Sequence, residues 1–204
     1  METELPFTAA LIAGGKSTRM GSDKCLLEID GQPLWKRQIS LLQELCPAEI
    51  IISGRPDQTY FQECQARFVP DQWPGSGPLG GIASVLQATK HQLVLVLAVD
   101  LPLMQAVVLQ RLIAEVKSGK GVVFKNGDFY EPLAAIYPTS LLDFARNAIS
   151  RNALRLQDWI AEAIAVDALL AWPLPANWKK AFKNLNFPAD IPANDGLVNL
   201  AGTE

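Results

Sequence analysis

The stretch that decides the fold is a glycine-rich segment near the start of the chain, Leu11-Ile12-Ala13-Gly14-Gly15-Lys16-Ser17-Thr18-Arg19-Met20-Gly21-Ser22-Asp23-Lys24. It follows an apolar, strand-like run from Phe7 to Ile12, and it is too rich in glycine to begin as a regular helix. Glycines let backbone N–H groups approach a polyanion closely, while Arg19 and Lys24 add the positive charge that amides lack. The pattern predicts a loop that binds the phosphates of a nucleoside triphosphate.

Two better-known phosphate-binding loops do not fit this segment. A Walker A loop needs a glycine five places before the glycine of its Gly-Lys-Ser/Thr ending, and the chain has Ala10 there. A dinucleotide-binding fingerprint needs Gly-x-Gly-x-x-Gly, whereas this segment has adjacent Gly14 and Gly15 and then Gly21 six residues later. The segment is therefore a phosphate loop of another kind.

Size and charge narrow the class of protein. A chain of 204 residues, nearly half of them apolar, suits one α/β domain over residues 1–204 with a substantial core. The net charge of −3 and the pI near 5.3 argue against a protein that coats nucleic acid, which would need a cationic surface. The positive charge that binds an anion must be local.

Cysteine, histidine and apolar runs point to a protein of the cytoplasm. Three scattered cysteines and the single histidine, His91, indicate neither a zinc cluster nor a disulfide framework. Unpaired thiols suit a reducing cytosol. The longest apolar run, Leu93 to Val99, is far too short to span a bilayer. We expect a cytoplasmic protein with no membrane partner, and His91 as a surface residue.

The next part of the chain reads as alternating helices and strands. Apolar spacing from Leu34 to Leu45 predicts a helix, and Glu49 to Gly54 a β-branched strand. A short strand at Phe68 to Asp71 runs into a second glycine-proline segment, Gln72 to Gly81, which opens another helix. The Leu93–Val99 run is typical of a strand buried on both faces. This alternation predicts a parallel sheet, with both glycine-rich segments at the strand ends where ligands bind.

Asp100 stands directly after the most apolar strand. Aspartate is rare in such surroundings unless it is paired or bound to a metal. Mg²⁺ is the expected partner because it prefers one or two carboxylates together with phosphate oxygens. The alternative is that Asp100 caps the following helix.

The last third of the chain departs from the alternating pattern. Gly121–Lys125 and Tyr130–Tyr137 read as strands joined by Asn126-Gly127, a strong hairpin signal. The hairpin either builds one wall of a substrate site or is a plain edge hairpin. Helical stretches at 140–149 and 154–163 follow. Arg146, Arg151 and Arg155 fit a solvated face better than an acidic-substrate site.

Five ordered motifs resemble the molybdenum cofactor guanylyltransferase family. The first is Ala-Gly-Gly-Lys-Ser-Thr-Arg-Met-Gly-Ser-Asp-Lys-Cys-Leu-Leu, with Ile12 in place of the family's first leucine. The others are Gly77–Gly81, Val99–Pro102, Pro132–Tyr137 and a late Asn-x-Asn at Asn184 and Asn186. The resemblance implies a three-layer α/β sandwich with a mostly parallel, mixed sheet of the Rossmann-like nucleotidyltransferase kind.

The resemblance also implies an activity and a set of site residues. The activity would be Mg²⁺-dependent transfer of GMP from GTP to the terminal phosphate of molybdenum-molybdopterin, with release of pyrophosphate. Maturation proteins of molybdenum enzymes would be partners. The nucleotide would contact Ile12, Ala13, Gly14, Gly15, Lys24, Asp71, Pro78, Leu79 and Asp100, Asp100 would hold the metal, and Asn184 and Asn186 would contact substrate. A family asparagine is replaced near Ser53 and Gly54.

The chemistry of two polyanions suggests catalytic roles. Mg²⁺, Arg19 and Lys24 would offset the repulsion between the acceptor phosphate and the GTP tail, so Arg19, Lys24 and Asp100 are the expected catalytic residues. Asp23 is expected to orient Arg19 or Lys24 by a salt bridge, or else to join the metal shell indirectly. Two alternatives remain: a transferase of the same fold that uses CTP or a sugar phosphate, and a non-catalytic nucleotide-binding protein.

Overall fold

A mixed β-sheet forms the centre of the computed structural model, which describes residues 6–15, 23–117 and 119–184. The strands are β1 (Phe7–Ile12), β2 (Glu28–Ile29), β3 (Gln32–Pro33), β4 (Glu49–Gly54), β5 (Arg67–Pro70), β6 (Leu93–Ala98), β7 (Gly121–Asn126), β8 (Phe129–Pro138) and β9 (Leu169–Pro173). The α-helices are α1 (Leu34–Gln43), α2 (Gly77–Ala88), α3 (Ala106–Ala114), α4 (Leu142–Ser150) and α5 (Leu156–Ala165). Short 3₁₀ helices span Lys24–Leu26, Thr59–Glu63, Thr139–Leu141 and Ala176–Phe182.

The main sheet has seven strands in the order β5-β4-β1-β6-β8-β7-β9. β1 lies between β4 and β6 and is parallel to both, and β5 and β9 extend the sheet in parallel at its two edges. Among the described strands of this sheet, β8 alone runs antiparallel to its neighbours, β6 and β7. The mostly parallel, mixed α/β sheet predicted from the sequence is confirmed.

Two apolar cores flank the sheet because successive side chains of a strand point to opposite faces. On β6, Leu93, Leu95 and Leu97 pack in the same core as α1 and α3, while Val94 and Val96 pack with α2, α4 and α5. All six residues of β6 are buried, as expected for a central strand covered on both faces. The predicted three-layer sandwich is confirmed.

Turn chemistry fixes two hairpins. Asp30 and Gly31 both have positive φ, as a two-residue type I′ turn between β2 and β3 requires. Between β7 and β8 the register pairs Asn126 with Phe129, so the two turn residues are Gly127, with φ of +61°, and Asp128. The turn predicted at Asn126-Gly127 therefore lies one residue later, because Asn126 still belongs to the strand.

The hairpin is not an edge of the sheet, which corrects one of the two expectations for it. β8 lies between β6 and β7, and β9 covers the outer side of β7. β9 was not predicted from the sequence.

The late helical stretches predicted at 140–149 and 154–163 are present as α4 and α5, one or two residues further along. In the part of the chain that the structure describes, no helix is both long and apolar enough to cross a membrane. Two expected site residues, Arg19 and Asn186, lie outside the described residues, so their roles stay predictions.

Candidate active site

A cleft of about 440 Å³ lies at the carboxyl ends of the central parallel strands. This volume is within the range of small-molecule sites. Its walls include residues 12–15 at the end of β1, residues 98–100 at the end of β6, and Ser53, Arg55 and Pro56 at the end of β4. The start of α2 and Leu133 of β8 complete it. The segments that the sequence placed at the ligand edge of the sheet therefore meet in one cleft.

Lys24 and Asp100 face each other in this cleft. The ammonium Nζ of Lys24 lies 3.5 Å from Oδ2 of Asp100, and the two side chains are 19% and 24% exposed. Lys24 begins the 3₁₀ helix Lys24–Leu26, and Asp100 lies two residues after the end of β6. The two residues on which the sequence interpretation depended are thus brought into direct contact.

The second carboxylate oxygen of Asp100 has an unusual environment. Oδ1 is buried and accepts no hydrogen bond from any described residue. An unsatisfied buried oxygen is costly, and each such group calls for an explanation. Helix capping is not that explanation, because the N-cap of α3 is Gln105. The alternative interpretation of Asp100 as a helix cap is therefore wrong.

The donor set around Asp100 fits a particular kind of metal site. No group of three or more His, Cys, Asp or Glu side chains among residues 6–15, 23–117 and 119–184 could hold an ion by itself. Mg²⁺ typically binds through one or two carboxylates plus the phosphates of a substrate. A single carboxylate with a free oxygen in a cleft fits an ion that arrives with a polyphosphate.

Asp23 pairs with a residue that the sequence interpretation did not include. Its Oδ2 accepts hydrogen bonds from Arg55 at 2.8 Å, from Gln58 at 2.9 Å and from the Tyr60 hydroxyl at 2.9 Å. Burial by itself would raise the pKa of Asp23, but hydrogen bonds from Gln58, Arg55, the Cys25 N–H and Tyr60 hold this pKa below its ordinary value. Among the described residues Asp23 forms its salt bridge with Arg55 and not with Lys24, which corrects that expectation; Arg19, the other expected partner, lies outside the described residues.

Arg55 lines the cleft immediately after β4. Besides Asp23, it donates to the carbonyl oxygen of Gly15 at 2.9 Å and to Asp57 at 3.2 Å. A signal for it existed in the sequence, since a charged residue directly after a parallel strand is placed at the ligand edge, the same rule that identified Asp100. Arg55 was missed because no motif surrounds it.

The glycine-rich turn after β1 presents backbone groups to the cleft. The Ala13 N–H donates to the Ser53 carbonyl at 2.7 Å, and the Ile12 carbonyl accepts from the Val99 N–H at 3.1 Å. These bonds fix the turn to both neighbouring strands. Between described residues, no hydrogen bond uses the N–H groups of Gly14 or Gly15. Those two donors can serve an anionic ligand.

The segment before α2 supplies the opposite wall. Asp71 and Pro78 both line the cleft, as predicted. Oδ1 of Asp71 accepts from the Trp73 N–H at 2.9 Å and from the Ser84 hydroxyl at 3.3 Å, which holds the turn into α2. Leu79 requires a correction, since its side chain is fully buried in the core with α2 and does not line the cleft. It points inward because it lies on the apolar face of the helix.

Asn184 and the Ser53-Gly54 pair complete the predicted set. Asn184 is exposed and does not line the cleft. Ser53 does line it, and its buried hydroxyl has no partner among the described residues. A Cβ on Gly54 would lie 2.5 Å from Oε1 of Gln58, so a larger residue does not fit there unless Gln58 moves. The family asparagine expected near this position therefore has no room at residue 54.

The histidine and the three late arginines considered in the sequence analysis do not line the cleft. His91 is bonded to Thr8 at 2.9 Å, next to the start of β6 and so at the opposite end of the strands. Arg146, Arg151 and Arg155 form ion pairs with Asp143, Glu162 and Asp158, and their side chains are largely exposed. This arrangement agrees with the solvated face expected for them.

Comparison with known proteins identifies related chains. Residues 9–166 match the family described as the MobA-like NTP transferase domain. A protein of Opitutus terrae named "Probable molybdenum cofactor guanylyltransferase" is 33% identical over 184 residues, which cover 89% of this chain and 91% of that protein. A protein of the same name from Chloroflexus aggregans is 32% identical over 205 residues and covers 94% of both chains.

A solved structure supports the fold. The molybdopterin-guanine dinucleotide biosynthesis protein A of Archaeoglobus fulgidus superposes with a TM-score of 0.71 at 23% identity. The match covers 90% of this chain and 94% of that one. At this level of identity the likeness concerns the fold.

Proposed function

The chain belongs to the MobA-like NTP transferase family, and from this membership and the geometry of its cleft we propose that it transfers GMP from GTP to the terminal phosphate of molybdenum-molybdopterin. The products are the guanine dinucleotide form of the cofactor and pyrophosphate. The observation that supports this proposal most directly is the Lys24–Asp100 pair, a cation and a carboxylate with a free oxygen that face each other in one cleft.

The cleft residues divide into a nucleotide-binding set and a charge-stabilising set. The N–H groups of Gly14 and Gly15 and the ammonium of Lys24 bind the phosphates of GTP. Ile12, Ala13, Asp71 and Pro78 enclose the nucleoside. Because these amides and the lysine line one cleft, they can hold the triphosphate in position for attack at its α-phosphorus.

The chain needs no general base for this reaction. The second pKa of a phosphate monoester is about 6, so the acceptor phosphate is already largely ionised near pH 7. An oxygen of that phosphate forms a bond to the α-phosphorus of GTP, and the bond from the α-phosphorus to the bridging oxygen of pyrophosphate breaks. Lys24 stabilises the charge that develops on the departing pyrophosphate. The roles of Arg19 and of Asn186 belong to this proposal as predictions.

Asp100 is the residue that would hold Mg²⁺. When bound, the ion would neutralise charge on the polyphosphate and help it to leave. Oδ1 of Asp100 is available to the ion without breaking a hydrogen bond between described residues. Asp100 also keeps the Lys24 ammonium inside the cleft.

Partners and location follow from the same proposal. The acceptor and GTP are the small-molecule partners, and maturation proteins of molybdenum enzymes stay a prediction from the resemblance. We place the activity in the cytoplasm, where the three free thiols, Cys25, Cys46 and Cys64, would remain reduced.

Pyrophosphate release tests this function. Purified protein is supplied with Mg²⁺, molybdenum-molybdopterin and either GTP, CTP or ATP, and both pyrophosphate and the dinucleotide product are quantified. We expect turnover with GTP and none without acceptor. Preferred turnover of CTP would assign the chain to the cytidylyl branch of the fold. Tight binding of GTP with no turnover would make it a nucleotide-binding protein, and either outcome would overturn the proposal.

A further inference from the structure

Arg55 connects three parts of the chain through one guanidinium. Nη2 donates to Oδ2 of Asp23 at 2.8 Å, Nη1 to the Gly15 carbonyl at 2.9 Å, and Nε to Oδ1 of Asp57 at 3.2 Å. Gly15 and Asp23 are the described residues on either side of 16–22. The Arg55 side chain, which follows the end of β4, thus fixes the positions of Gly15 and Asp23 relative to each other.

Asp23 in turn restrains the backbone at Lys24, its neighbour in the sequence. Its Oδ1 accepts from the Cys25 N–H at 3.1 Å and so caps the 3₁₀ helix Lys24–Leu26. Its Oδ2 accepts from Arg55, Gln58 and Tyr60, so both oxygens are occupied. A carboxylate with four donors in fixed directions holds the adjacent backbone rigidly. The start of the helix, and with it the direction of the Lys24 side chain, is therefore set by the Asp23–Arg55 pair.

We propose that Arg55 is a positioning residue, which acts through Asp23 to hold Lys24 opposite Asp100. This inference rests on the proposed function, in which Lys24 binds the phosphates of GTP. Three of the five guanidinium N–H groups of Arg55 donate to protein acceptors, so its position in the cleft is explained without a contact to the nucleotide. If a phosphate took Arg55 away, Asp23 would lose the one cation with which it is paired among the described residues.

Four variants test the inference. Arg55→Gln removes the charge and most of the contacts, and Asp23→Asn keeps the shape of the carboxylate without its charge. Lys24→Ala removes the side chain that is to be positioned. Arg37→Gln is the matched control, because Arg37 is also an ion-paired arginine, with Asp30, and is 23% exposed compared with 24% for Arg55. Arg37 does not line the cleft.

The first measurement, amide hydrogen exchange, does not depend on catalytic activity. Amide hydrogen exchange at residues 23–27 reports whether the 3₁₀ helix is still held. We expect exchange there to rise about 10-fold in Arg55→Gln and in Asp23→Asn, and to stay at the wild-type rate in Arg37→Gln. If exchange at 23–27 is unchanged in Arg55→Gln, the inference is wrong, whether or not the protein turns over GTP.

The second measurement separates positioning from direct contact. We expect Arg55→Gln to lower kcat by about 10- to 100-fold, since a misplacement near 1 Å has effects of this size. Added to Lys24→Ala, the same change should lower kcat by less than about 2-fold, because both act through one side chain. Effects that multiply would mean that Arg55 contacts the substrate directly, and the inference would be overturned. An inactive wild-type protein would instead overturn the proposed function, and amide exchange would still decide the role of Arg55.

Discussion

The Lys24 ammonium lies 3.5 Å from the Asp100 carboxylate, although the two residues are far apart in the sequence. Lys24 follows the first strand and Asp100 follows β6, which are neighbours in the sheet. Parallel pairing of β1 and β6 is what brings their carboxyl ends, and these two charges, to one place. The pair is therefore a product of sheet topology.

Removal of either partner should stop the reaction while the fold persists. We expect Lys24→Ala and Asp100→Asn each to lower kcat by about 100-fold or more, the size expected for loss of one charge-stabilising group. Pyrophosphate release measures this, and circular dichroism checks the fold. Lys120→Ala and Asp143→Asn, which change exposed ion pairs, are the controls. Full activity of Asp100→Asn would remove the metal assignment.

Gly121 should be the glycine least tolerant of substitution in the sheet. An added Cβ would lie 2.1 Å from the backbone oxygen of Ile136 and 2.7 Å from the Leu169 side chain. Because backbone cannot move aside cheaply, we expect Gly121→Ala to lower the free energy of unfolding by about 1–3 kcal/mol. Gly15→Ala, with no atom within 4 Å of the new methyl group, should change it by less than about 0.5 kcal/mol. Urea unfolding compares the two, and equal effects would contradict the packing argument.

Glu131 should make the protein less stable at neutral pH than a neutral residue would. Burial raises the pKa of Glu131 above its ordinary value of 4.5, and the hydrogen bond from Asn126 offsets part of this rise. Because the pKa of Glu131 is higher in the folded than in the unfolded protein, proton binding by Glu131 favours folding. This contribution to stability is complete below pH 4.5 and is lost as the pH rises through the folded-state pKa. Glu131→Gln should therefore unfold at higher urea concentration than wild type at pH 7.

The same comparison at about pH 3 is the control for the Glu131 prediction, because this pH is well below the ordinary pKa of 4.5 and Glu131 then binds its proton in both the folded and the unfolded state. There the two proteins should have the same stability. Glu162→Gln, at an exposed position, should have little effect at either pH. A Glu131→Gln protein that is less stable than wild type at pH 7 would show that the charge is needed.

Cys25 should resist alkylation despite its place at the cleft. Burial, with the nearby Asp23 charge adding to it, raises the pKa of the Cys25 thiol to about 12, and the thiol donates to the Ala13 carbonyl. At pH 8 it is protonated and therefore a poor nucleophile. With iodoacetamide we expect exposed Cys46 to react first and Cys25 only after unfolding. Peptide mass spectrometry gives the three rates, and modification of Cys25 as fast as Cys46 would contradict this.

Strand ends were the part of the site that the sequence predicted well. The Leu93–Val99 run is so apolar that its burial on both faces follows directly, and Asp100 is then forced to the ligand edge. Asp71 and Pro78, which the family resemblance implied, line the same cleft, and their contact with a nucleotide stays a prediction.

Contacts between distant segments could not be predicted. Asp23 looked like a partner for its neighbour Lys24, but the fold places Arg55 and Gln58 closer to its free oxygen. Leu79 shares a motif with cleft residues yet points into the core, since helix periodicity turns it inward. β9 was missed because its apolar pattern is short and ends in a proline, Pro173. Each error concerns contacts between residues that are distant in the sequence, and a local sequence pattern does not show which distant residues will be in contact.

The antiparallel strand β8 supplies Leu133, a cleft residue that comes later in the chain than the other residues of the cleft. The cleft residues that we assign to the nucleotide in the proposed function all precede Leu101, whereas Leu133 comes from the later β7–β8 hairpin. Under the proposed function, we therefore expect Leu133 to affect the fit of the acceptor more than the choice of nucleotide donor.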